Sequence, residues 1–250
     1  MKKIMSLALL LSGTAMAPLA HADDLSVSVS VDYVSEYVFR GVSFARGAVQ
    51  PGIEISKNGF TAGVWTSAAI GEASAVAADE IDVYAGYSWA LSDVVSADVG
   101  ATIYHFPDTD GSLFDFGDAS TIEVYGGLGF DVALAPSIYA YYDLDLEALT
   151  LEGSVSHSVP VAEKTSFDLG LTAGLVTVDG PGDYEYGTLS ASLGYGFTDD
   201  VSAYVGANYS LSSVDSLNFR NFTDVTTGTN FAATTDDNLV WFGVGVAAGF

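Results

Sequence analysis

The sequence contains no cysteine and very few basic residues. Without cysteine the chain forms neither disulfide bonds nor thiolate sites, so its stability must come from other interactions. Lysine and arginine number 7, against 32 aspartates and glutamates, which gives a formal net charge of −25. Phosphate groups of nucleic acids are bound by clustered lysine and arginine, so this composition argues against nucleic acid as a partner.

Long hydrophobic runs are also missing after the first residues of the chain. Apolar residues make up 49% of the sequence and the mean hydropathy is +0.34. Even so, no later stretch approaches the roughly 18 consecutive apolar residues of a membrane-spanning helix. The apolar residues alternate with polar ones instead, which is the pattern of strands that present one face to lipid.

The N-terminus has the pattern of a secretory signal. Lys2 and Lys3 precede the apolar run 4–11, and Ala20-His21-Ala22 supplies a small-x-small cleavage site. We expect residues 1–22 to be a signal peptide and residues 23–250 to form a single β-barrel domain. Removal of the signal leaves five basic against thirty-two acidic residues, a formal charge of −27.

The C-terminal segment, Asn238–Phe250, shows the clearest strand pattern. Large apolar residues at every second position, from Val240 to Phe250, alternate with mostly small residues such as Gly243 and Gly245. A last strand with one oily face and a terminal aromatic residue is typical of outer-membrane barrels, in which it pairs with the first strand and leaves no open edge. The alternative is an edge strand of a soluble β-sandwich.

Alternation is almost as strict in the first predicted strand, Leu25–Arg40. With its apolar residues against lipid, Tyr37 and Phe39 are expected in an interfacial aromatic girdle. Glu36 and Arg40 then point into the lumen near its mouth. We expect the following residues, 41–47, to turn the chain back.

Three motifs in the first part of the chain resemble a known family. They are Ser35–Gly41 (SEYVFRG), Ala48–Gly52 (AVQPG) and Gly59–Ser67 (GFTAGVWTS). Over roughly Val31–Ser67 the chain resembles the TorF-like family of porins, proteobacterial outer-membrane proteins of mostly uncharacterised function. The resemblance implies a barrel, suggests a pore and implies no catalytic residues.

The rest of the chain divides into further strand patterns, mostly of a length that crosses a bilayer when tilted. With the first strand they predict an antiparallel up-and-down transmembrane barrel of about twelve strands, with ten as the alternative. Short connections alternate with longer ones, which places both termini on the periplasmic side. One connection, Leu146–Ala148, is tight where a long outer loop is expected. The remaining predicted strands are Val49–Ser56, Gly59–Ala69, Glu80–Trp89, Val94–His105, Thr121–Val132, Ser137–Asp145, Leu149–Ser158, Ser166–Val178, Tyr184–Phe197, Val201–Ser212 and Asn238–Phe250.

The same alternation assigns acidic side chains and one arginine to the inner face. Carboxylates in a low-dielectric pore attract cations, although they can equally keep the lumen hydrated without selectivity. Many glycines share this face, where small residues leave space and favour a narrow pore. The pore-lining candidates are Asp32, Glu36, Arg40, Asp82, Asp98, Glu123, Asp143, Asp145, Glu152 and Asp168.

Other groups of charged or titratable residues give weaker indications of function. Arg40, Arg46 and Arg220 could meet at the mouth and bind an anionic group, but abundant loop carboxylates make ion pairs the preferred interpretation. His105 and His157 fall on the lipid-facing side near strand ends, where interfacial anchoring is expected. No catalytic motif has a supporting context, and the acidic loop after His105 lacks the full ligand set of a calcium loop. We therefore predict no catalysis, no cofactor and no metal.

Together these features predict an exported outer-membrane barrel, in contact with lipid and lipopolysaccharide, that passes small hydrophilic solutes by passive diffusion. A preference for cations is one outcome of its inner carboxylates. The alternative is a closed barrel that acts through its outer loops, 106–120 and 213–237. These loops carry aromatic residues that could fold inward or meet a partner, namely Phe114, Phe116, Phe219, Phe222 and Phe231.

Overall fold

The computed structural model describes residues 25–74, 79–179, 182–213, 221–224, 229–232 and 238–250. The expected signal peptide, residues 1–22, lies outside these ranges, as do Arg220 and Phe219. The regular elements within them are all β-strands. No helix among the described residues has the length and apolarity needed to span a membrane.

The described residues form strands that we number in chain order. They are β1 (Ser26–Val34), β2 (Tyr37–Phe39), β3 (Val42–Ala45), β4 (Ala48–Lys57), β5 (Phe60–Ala69), β6 (Glu72–Ser74), β7 (Glu80–Ala90), β8 (Val95–His105), β9 (Ser120–Phe130), β10 (Ser137–Asp143), β11 (Ala148–Ala162), β12 (Thr165–Val178), β13 (Tyr184–Gly196), β14 (Val201–Ser212), β15 (Asn221–Asp224), β16 (Thr229–Ala232) and β17 (Asn238–Gly249).

Twelve of these strands close into an antiparallel barrel in the order β1-β17-β14-β13-β12-β11-β10-β9-β8-β7-β5-β4. The last strand completes the ring, because β1 pairs with β17 on one side and with β4 on the other. Closure satisfies the backbone groups that an open sheet would leave unpaired. The predicted twelve-stranded barrel is confirmed, and the alternatives of ten strands or a sandwich are wrong.

The two faces of the wall separate as the alternation predicts. Large apolar side chains such as Leu189, Val205 and Val244 stand exposed on the outside. Inward neighbours such as Tyr186, Asn208 and Trp241 are buried. Most large aliphatic side chains of the strands thus form a belt around the outside of the barrel, whereas the lumen contains mainly polar and aromatic side chains.

The two ends of the barrel differ. Both ends of the described chain and the connections at 58–59, 91–94, 131–136, 163–164 and 197–200 lie at one end, which we call the turn end. The longer connections lie at the other, the loop end. The turn between β11 and β12 is tighter than predicted, because β11 continues to Ala162 and pairs there with Thr165.

The first predicted strand is wrong beyond Val34. The chain bends at Ser35 and Glu36, then forms a tight hairpin of β2 and β3 in which Phe39 pairs with Val42. Arg40 and Gly41 make the turn with φ of +48° and +76°, the positive values that a two-residue type I′ turn requires at both positions. With β6, β15 and β16, the hairpin forms a second sheet of order β16-β15-β6-β3-β2.

The hairpin also overturns the expected aromatic girdle at this position. Tyr37 is only 5% exposed and packs with Val34, Ala48 and Tyr204. Phe39 packs against the same cluster and does not face lipid. Strict alternation continued through these residues because a hairpin strand alternates too, so the pattern alone did not reveal the bend.

The tight connection after β10 has a local explanation. The Asp143 carboxylate accepts hydrogen bonds from the backbone N–H groups of Asp145 and Leu146, at 3.0 and 2.8 Å. Asp145 in turn accepts one from the Ile122 N–H at 2.9 Å. Asp143 thus satisfies backbone donors of the turn itself, and Asp145 fixes the turn to β9, so a short connection suffices at the loop end.

A pair of lysine substitutions in β13 tests which face meets hydrocarbon. Leu189→Lys puts a charge on the outer face and is expected to lower the free energy of unfolding by about 2–4 kcal/mol, as near the midplane of other barrels. Ser190→Lys, one residue along on the inner face, is the control and is expected to change it little. Unfolding in lipid vesicles by urea measures both. Equal losses would contradict the assignment of faces.

Candidate functional site in the barrel lumen

The inner wall is lined by hydroxyl, carboxyl and tyrosine side chains. Near the turn end this lining consists largely of serines that are partly exposed, which makes that half of the lumen accessible to water. They include Ser28, Ser30, Ser56, Ser88, Ser96 and Ser137. Toward the loop end, inward side chains such as Glu80, Asp82 and Glu123 are buried. The lumen is therefore open to water at one end and packed at the other.

One side-chain arrangement recurs four times around the wall, and we call it the acid–glycine–tyrosine row. In each row a carboxylate, a glycine and a tyrosine face inward at paired positions of three neighbouring strands. The tyrosine reaches across the glycine, and its hydroxyl hydrogen-bonds to the carboxylate. The rows are Glu54-Gly63-Tyr84, Asp98-Gly127-Tyr139, Glu152-Gly174-Tyr186 and Asp32-Gly245-Tyr204.

The hydrogen bonds of the rows are direct. Tyr84 Oη donates to Glu54 at 3.0 Å and Tyr139 Oη donates to Asp98 at 2.7 Å. Tyr186 bonds Glu152, and Tyr204 bonds Asp32. Each barrel strand contributes to one row only. Together the four rows include all twelve strands of the barrel and hold four carboxylates against its wall.

Glycine is required at the middle of each row. A Cβ atom at Gly63 would lie 2.5 Å from Cζ of Tyr84, and one at Gly127 would lie 2.7 Å from Cγ of Tyr139. At Gly174 and Gly245 it would meet the rings of Tyr186 and Tyr204 in the same way. The expectation that inner glycines simply leave open space is wrong at these positions, because tyrosine rings lie over them.

The β2–β3 hairpin packs into the loop end of the lumen. Val38 packs against Leu239 and Trp241 of β17. Val42, on the opposite side, packs against a cluster on β12 and β13 that contains Val176 and Tyr184. In the barrel order only β14 separates β17 from β13, so both contacts lie on one side of the lumen. The hairpin crosses the lumen from there to β9, where Arg40 binds Glu123.

The tip of the hairpin is fixed by a buried ion pair. Arg40 Nη1 and Nη2 donate to Glu123 Oε2 and Oε1 on β9, at 2.6 and 2.9 Å. Tyr104 Oη donates to the same Oε1 at 3.0 Å. The guanidinium carbon lies 4.6 Å from the ring centres of both Phe39 and Tyr141. Burial lowers the pKa of Arg40, but the hydrogen bond and charge of Glu123 outweigh it, so the net shift is upward.

A second contact ties the base of the hairpin to β7. Tyr37 Oη donates to Glu80 Oε2 at 2.9 Å, and Glu80 hydrogen-bonds to Asp82. Burial, together with the negative charges of Glu80 and Asp82, raises the pKa of the Tyr37 hydroxyl. The hydroxyl thus remains a donor, and the hairpin is held at both its base and its tip by carboxylates of the wall.

The predicted inner-face residues fall into four groups. Asp32, Asp98 and Glu152 belong to the rows, and Glu123 binds Arg40. Asp82 and Asp168 also face inward, the latter accepting a hydrogen bond from Ser166 at 2.8 Å. Three residues sit at the loop end and serve local turns: Glu36, which accepts from Ser43 at 2.6 Å, and the turn residues Asp143 and Asp145. Asp145 follows β10 and is not part of its inward face.

Sequence reasoning missed two inner carboxylates and the role of the tyrosines. Glu54 and Glu80 lie on the inner face, and strand alternation could have found both, since their neighbours Ile53, Ile55 and Ile81 point outward. The tyrosine contacts depend on the register between neighbouring strands, and in one row on the pairing of β17 with β1. No single strand's pattern carries that signal.

The remaining candidate residues, Arg46, His105 and His157, lie outside the lumen lining. Arg46 pairs with Glu72 at 2.8 Å in an exposed ion pair, as the preferred interpretation predicted. His105 is buried, with Nδ1 3.1 Å from Ala119 O and 2.9 Å from Ser120 Oγ, whereas His157 is exposed on the outer face of β11. The expected interfacial position of His105 is therefore wrong, because the loop after it covers the ring. The described residues contain no cluster of three His, Cys, Asp or Glu side chains able to hold a metal.

Three solved structures with a similar fold are named as outer-membrane porins or channels. The KdgM porin aligns with a TM-score of 0.52 and 13% identity, covering 90% of this chain and 99% of that one. The NanC porin aligns at 0.55 and 15%, covering 89% and 98%. The COG4313 outer membrane channel from Pseudomonas putida F1 aligns at 0.50 and 11%, covering 95% and 99%. At such identities the likeness is one of fold.

The sequence comparisons give a family but no characterised relative. No functionally curated protein matches the chain. A family model described as "Bacterial protein of unknown function (Gcw_chp)" matches residues 20–144, half of the 250-residue chain. This segment contains β1 to β10, the whole β2–β3 hairpin, and both Arg40 and Glu123. The chain, a closed twelve-stranded β-barrel, belongs to the Gcw_chp family.

Proposed function

We propose that this protein is a passive diffusion channel of the outer membrane for small hydrophilic solutes, with a preference for cations. The observation that carries the proposal is the polar inner wall of a closed twelve-stranded barrel. Barrels of about eight strands are filled by side chains, and those of sixteen to eighteen hold wide aqueous channels. A barrel between these sizes, with serines accessible to water, supports a narrow pathway.

The charge of the wall supports the cation preference. Nine carboxylates belong to the lumen wall or its loop-end rim: Asp32, Glu54, Glu80, Asp82, Asp98, Glu123, Asp143, Glu152 and Asp168. Among the described residues, Arg40 is their basic counterpart in the lumen, and it is paired with Glu123. Low-dielectric walls focus such a field along the pathway, which attracts cations and repels anions.

The fold relatives and the sequence resemblance support the channel class. Two of the relatives are named porins and a third is named a channel. The resemblance of Val31–Ser67 to TorF-like porins points the same way and covers the hairpin. One KdgM structure is a complex with a disordered oligogalacturonate, but an acidic lumen would repel a polyanion, so we do not assign that solute here.

The proposed orientation follows the pattern of short periplasmic turns and longer outer loops. Both termini and the turn end face the periplasm, and the hairpin lies near the cell exterior. Export by the predicted signal peptide, 1–22, and contact with lipid and lipopolysaccharide belong to the same proposal. So does the absence of enzymatic activity.

Single-channel recording of the refolded protein in a planar bilayer tests the proposal. We expect discrete conductance steps and, under a salt gradient, a reversal potential of the sign that indicates cation selectivity. Replacing Glu54 and Asp98 by glutamine and asparagine should reduce that selectivity, because both belong to the half of the lumen that contains the accessible serines. An anion-selective reversal potential would contradict the carboxylate mechanism alone.

The hairpin supports a second candidate, a closed barrel without transport. Its buried contacts with β7, β9, β12, β13 and β17 obstruct the loop end. Absence of conductance steps from protein whose electrophoretic mobility shows a folded, heat-modifiable barrel would favour this function and remove the channel proposal.

A further inference from the structure

Arg40 occupies a site with the chemistry of guanidinium recognition. A planar guanidinium group is bound best by a carboxylate that accepts two parallel hydrogen bonds and by aromatic faces that stack on it. Arg40 has both, with a bidentate contact to Glu123 and ring centres of Phe39 and Tyr141 at 4.6 Å. The Tyr104 hydroxyl orients the carboxylate by donating to Glu123 Oε1.

The cation and its site belong to different parts of the molecule. Glu123, Tyr104 and Tyr141 lie on β9, β8 and β10, which are paired along their length in the barrel wall. Arg40 lies at the turn of the β2–β3 hairpin. The wall residues therefore form a site that does not need the hairpin for its backbone support. We call Glu123, Tyr104 and Tyr141 the guanidinium box.

We propose that the guanidinium box binds solutes that carry a guanidinium group, and that Arg40 is an internal ligand that occupies it and holds the hairpin across the lumen. A guanidinium solute competes with Arg40 for Glu123 and releases the hairpin tip. The binding part stands on the box alone, and the effect of release on conductance rests on the proposed channel function.

The surroundings favour entry of a cation. Glu80 and Asp82 lie on the neighbouring strand β7, and Asp82 Oδ1 is buried without a hydrogen-bond partner. Glu80 and Asp82 share a proton through their hydrogen bond, and the one negative charge left on the pair attracts a cationic solute toward the box. An ammonium ion, a compact point charge, cannot reproduce the bidentate contact and the stacking together, so the box is expected to prefer guanidinium.

Removal of Arg40 without disturbing its turn gives the cleanest test. Arg40→Asn creates an Asn-Gly pair, the favoured sequence for a turn with positive φ at both positions. Arg46→Ala is the matched control, since Arg46 also binds a carboxylate but in an exposed pair. Full-length protein refolded in detergent micelles would be titrated with methylguanidinium or methylammonium, with binding followed by calorimetry.

A solute can bind only while Arg40 is out of the box. The apparent affinity is therefore the intrinsic affinity multiplied by the fraction of time that the box is vacant. Arg40→Asn should therefore bind methylguanidinium about tenfold or more tightly than the wild type and Arg46→Ala do. Methylammonium should bind more weakly to all of them, and Arg40→Asn with Glu123→Gln should lose the gain. Equal affinity of wild type and Arg40→Asn, equal binding of the two ions, or binding that survives Glu123→Gln would overturn the proposal.

Two further measurements keep the test decisive. If Arg40→Asn does not fold, Arg40→Lys serves instead, because it keeps the positive charge but lacks the two parallel N–H donors of the guanidinium group. Its affinity for methylguanidinium should exceed that of the wild type. In planar bilayers, methylguanidinium should raise the wild-type conductance more than methylammonium does. Binding without conductance in any variant would remove the channel proposal and leave the box, whereas conductance without binding would remove the box alone.

Discussion

Excision of the β2–β3 hairpin is expected to raise single-channel conductance severalfold. Strands β1 and β4 already pair as far as Val34 and Ala48, so residues 35–47 can be replaced by a two-residue Asn-Gly turn that joins them directly. The twelve-stranded ladder stays complete, while the segment that crosses the lumen is gone. Ionic current then meets a wider passage at the loop end.

The excision should also reduce stability. Tyr37, Val38, Val42 and Ala45 are buried against the wall, and their apolar contacts and the buried ion pair of Arg40 are lost together. A lower unfolding temperature in the same detergent measures this effect. The barrel itself should still form, because the pairing of its twelve strands is retained and only bonds beyond their ends, such as that from Ser35 N–H to Phe242 O, are lost.

A loop deletion of similar size provides the control. Residues 109–117, in the connection between β8 and β9, include the exposed Phe114 and Phe116. Shortening this loop is expected to leave the conductance near the wild-type value. If both deletions, or neither, changed conductance, the hairpin would not be the narrowest part of the pathway.

Substitution of the central glycine in one acid–glycine–tyrosine row is expected to produce a large loss of stability. In Gly127→Val the new side chain occupies the place of the Tyr139 ring, so the ring must move and its hydrogen bond to Asp98 breaks. Overpacking and an unpaired buried carboxylate together should lower the free energy of unfolding by about 2–5 kcal/mol. Denaturant titration of vesicle-embedded protein measures it.

The adjacent glycine in β9 is a matched control. Gly126 faces outward, and a Cβ there would lie 3.6 Å from Val99 Cγ1, an ordinary contact. Gly126→Val should therefore cost little. The double variant Gly127→Val with Tyr139→Ala restores room for the side chain, so its loss should be smaller than the sum of the two single losses. Additive losses would show that the ring and the glycine are not coupled.

Much of the fold could be predicted because the side chains of a barrel strand alternate between the outer and inner faces, and this pattern is local in sequence. In β13, Leu189, Leu193 and Tyr195 face outward as every second residue predicts, and the same rule placed Asp98, Glu123 and Glu152 inside. A strand has period two wherever it pairs. The faces of the residues within each barrel strand therefore follow from sequence without knowledge of any distant contact.

The functional arrangement could not be predicted in the same way. Residues 35–45 alternate like a spanning strand, yet Arg40 reaches Glu123, which is 83 positions away in the chain. Whether such a segment crosses the membrane or turns into the lumen depends on the wall that receives it. A turn was expected only after Arg40, at residues 41–47, and the contacts of Arg40 itself depend on Glu123, Tyr104 and Tyr141 being in place.

By itself, the sequence determined the alternating faces of a β-barrel wall, its acidic interior and the absence of cysteine chemistry, since each depends on composition or on neighbours along one strand. Only the tertiary structure decided which side chains meet between strands: those of the four rows, on neighbouring strands of the wall, and those of the ion pair at the hairpin tip. The physical reason is that these contacts depend on the register between paired strands and on where the hairpin enters the lumen. No local period encodes either of them.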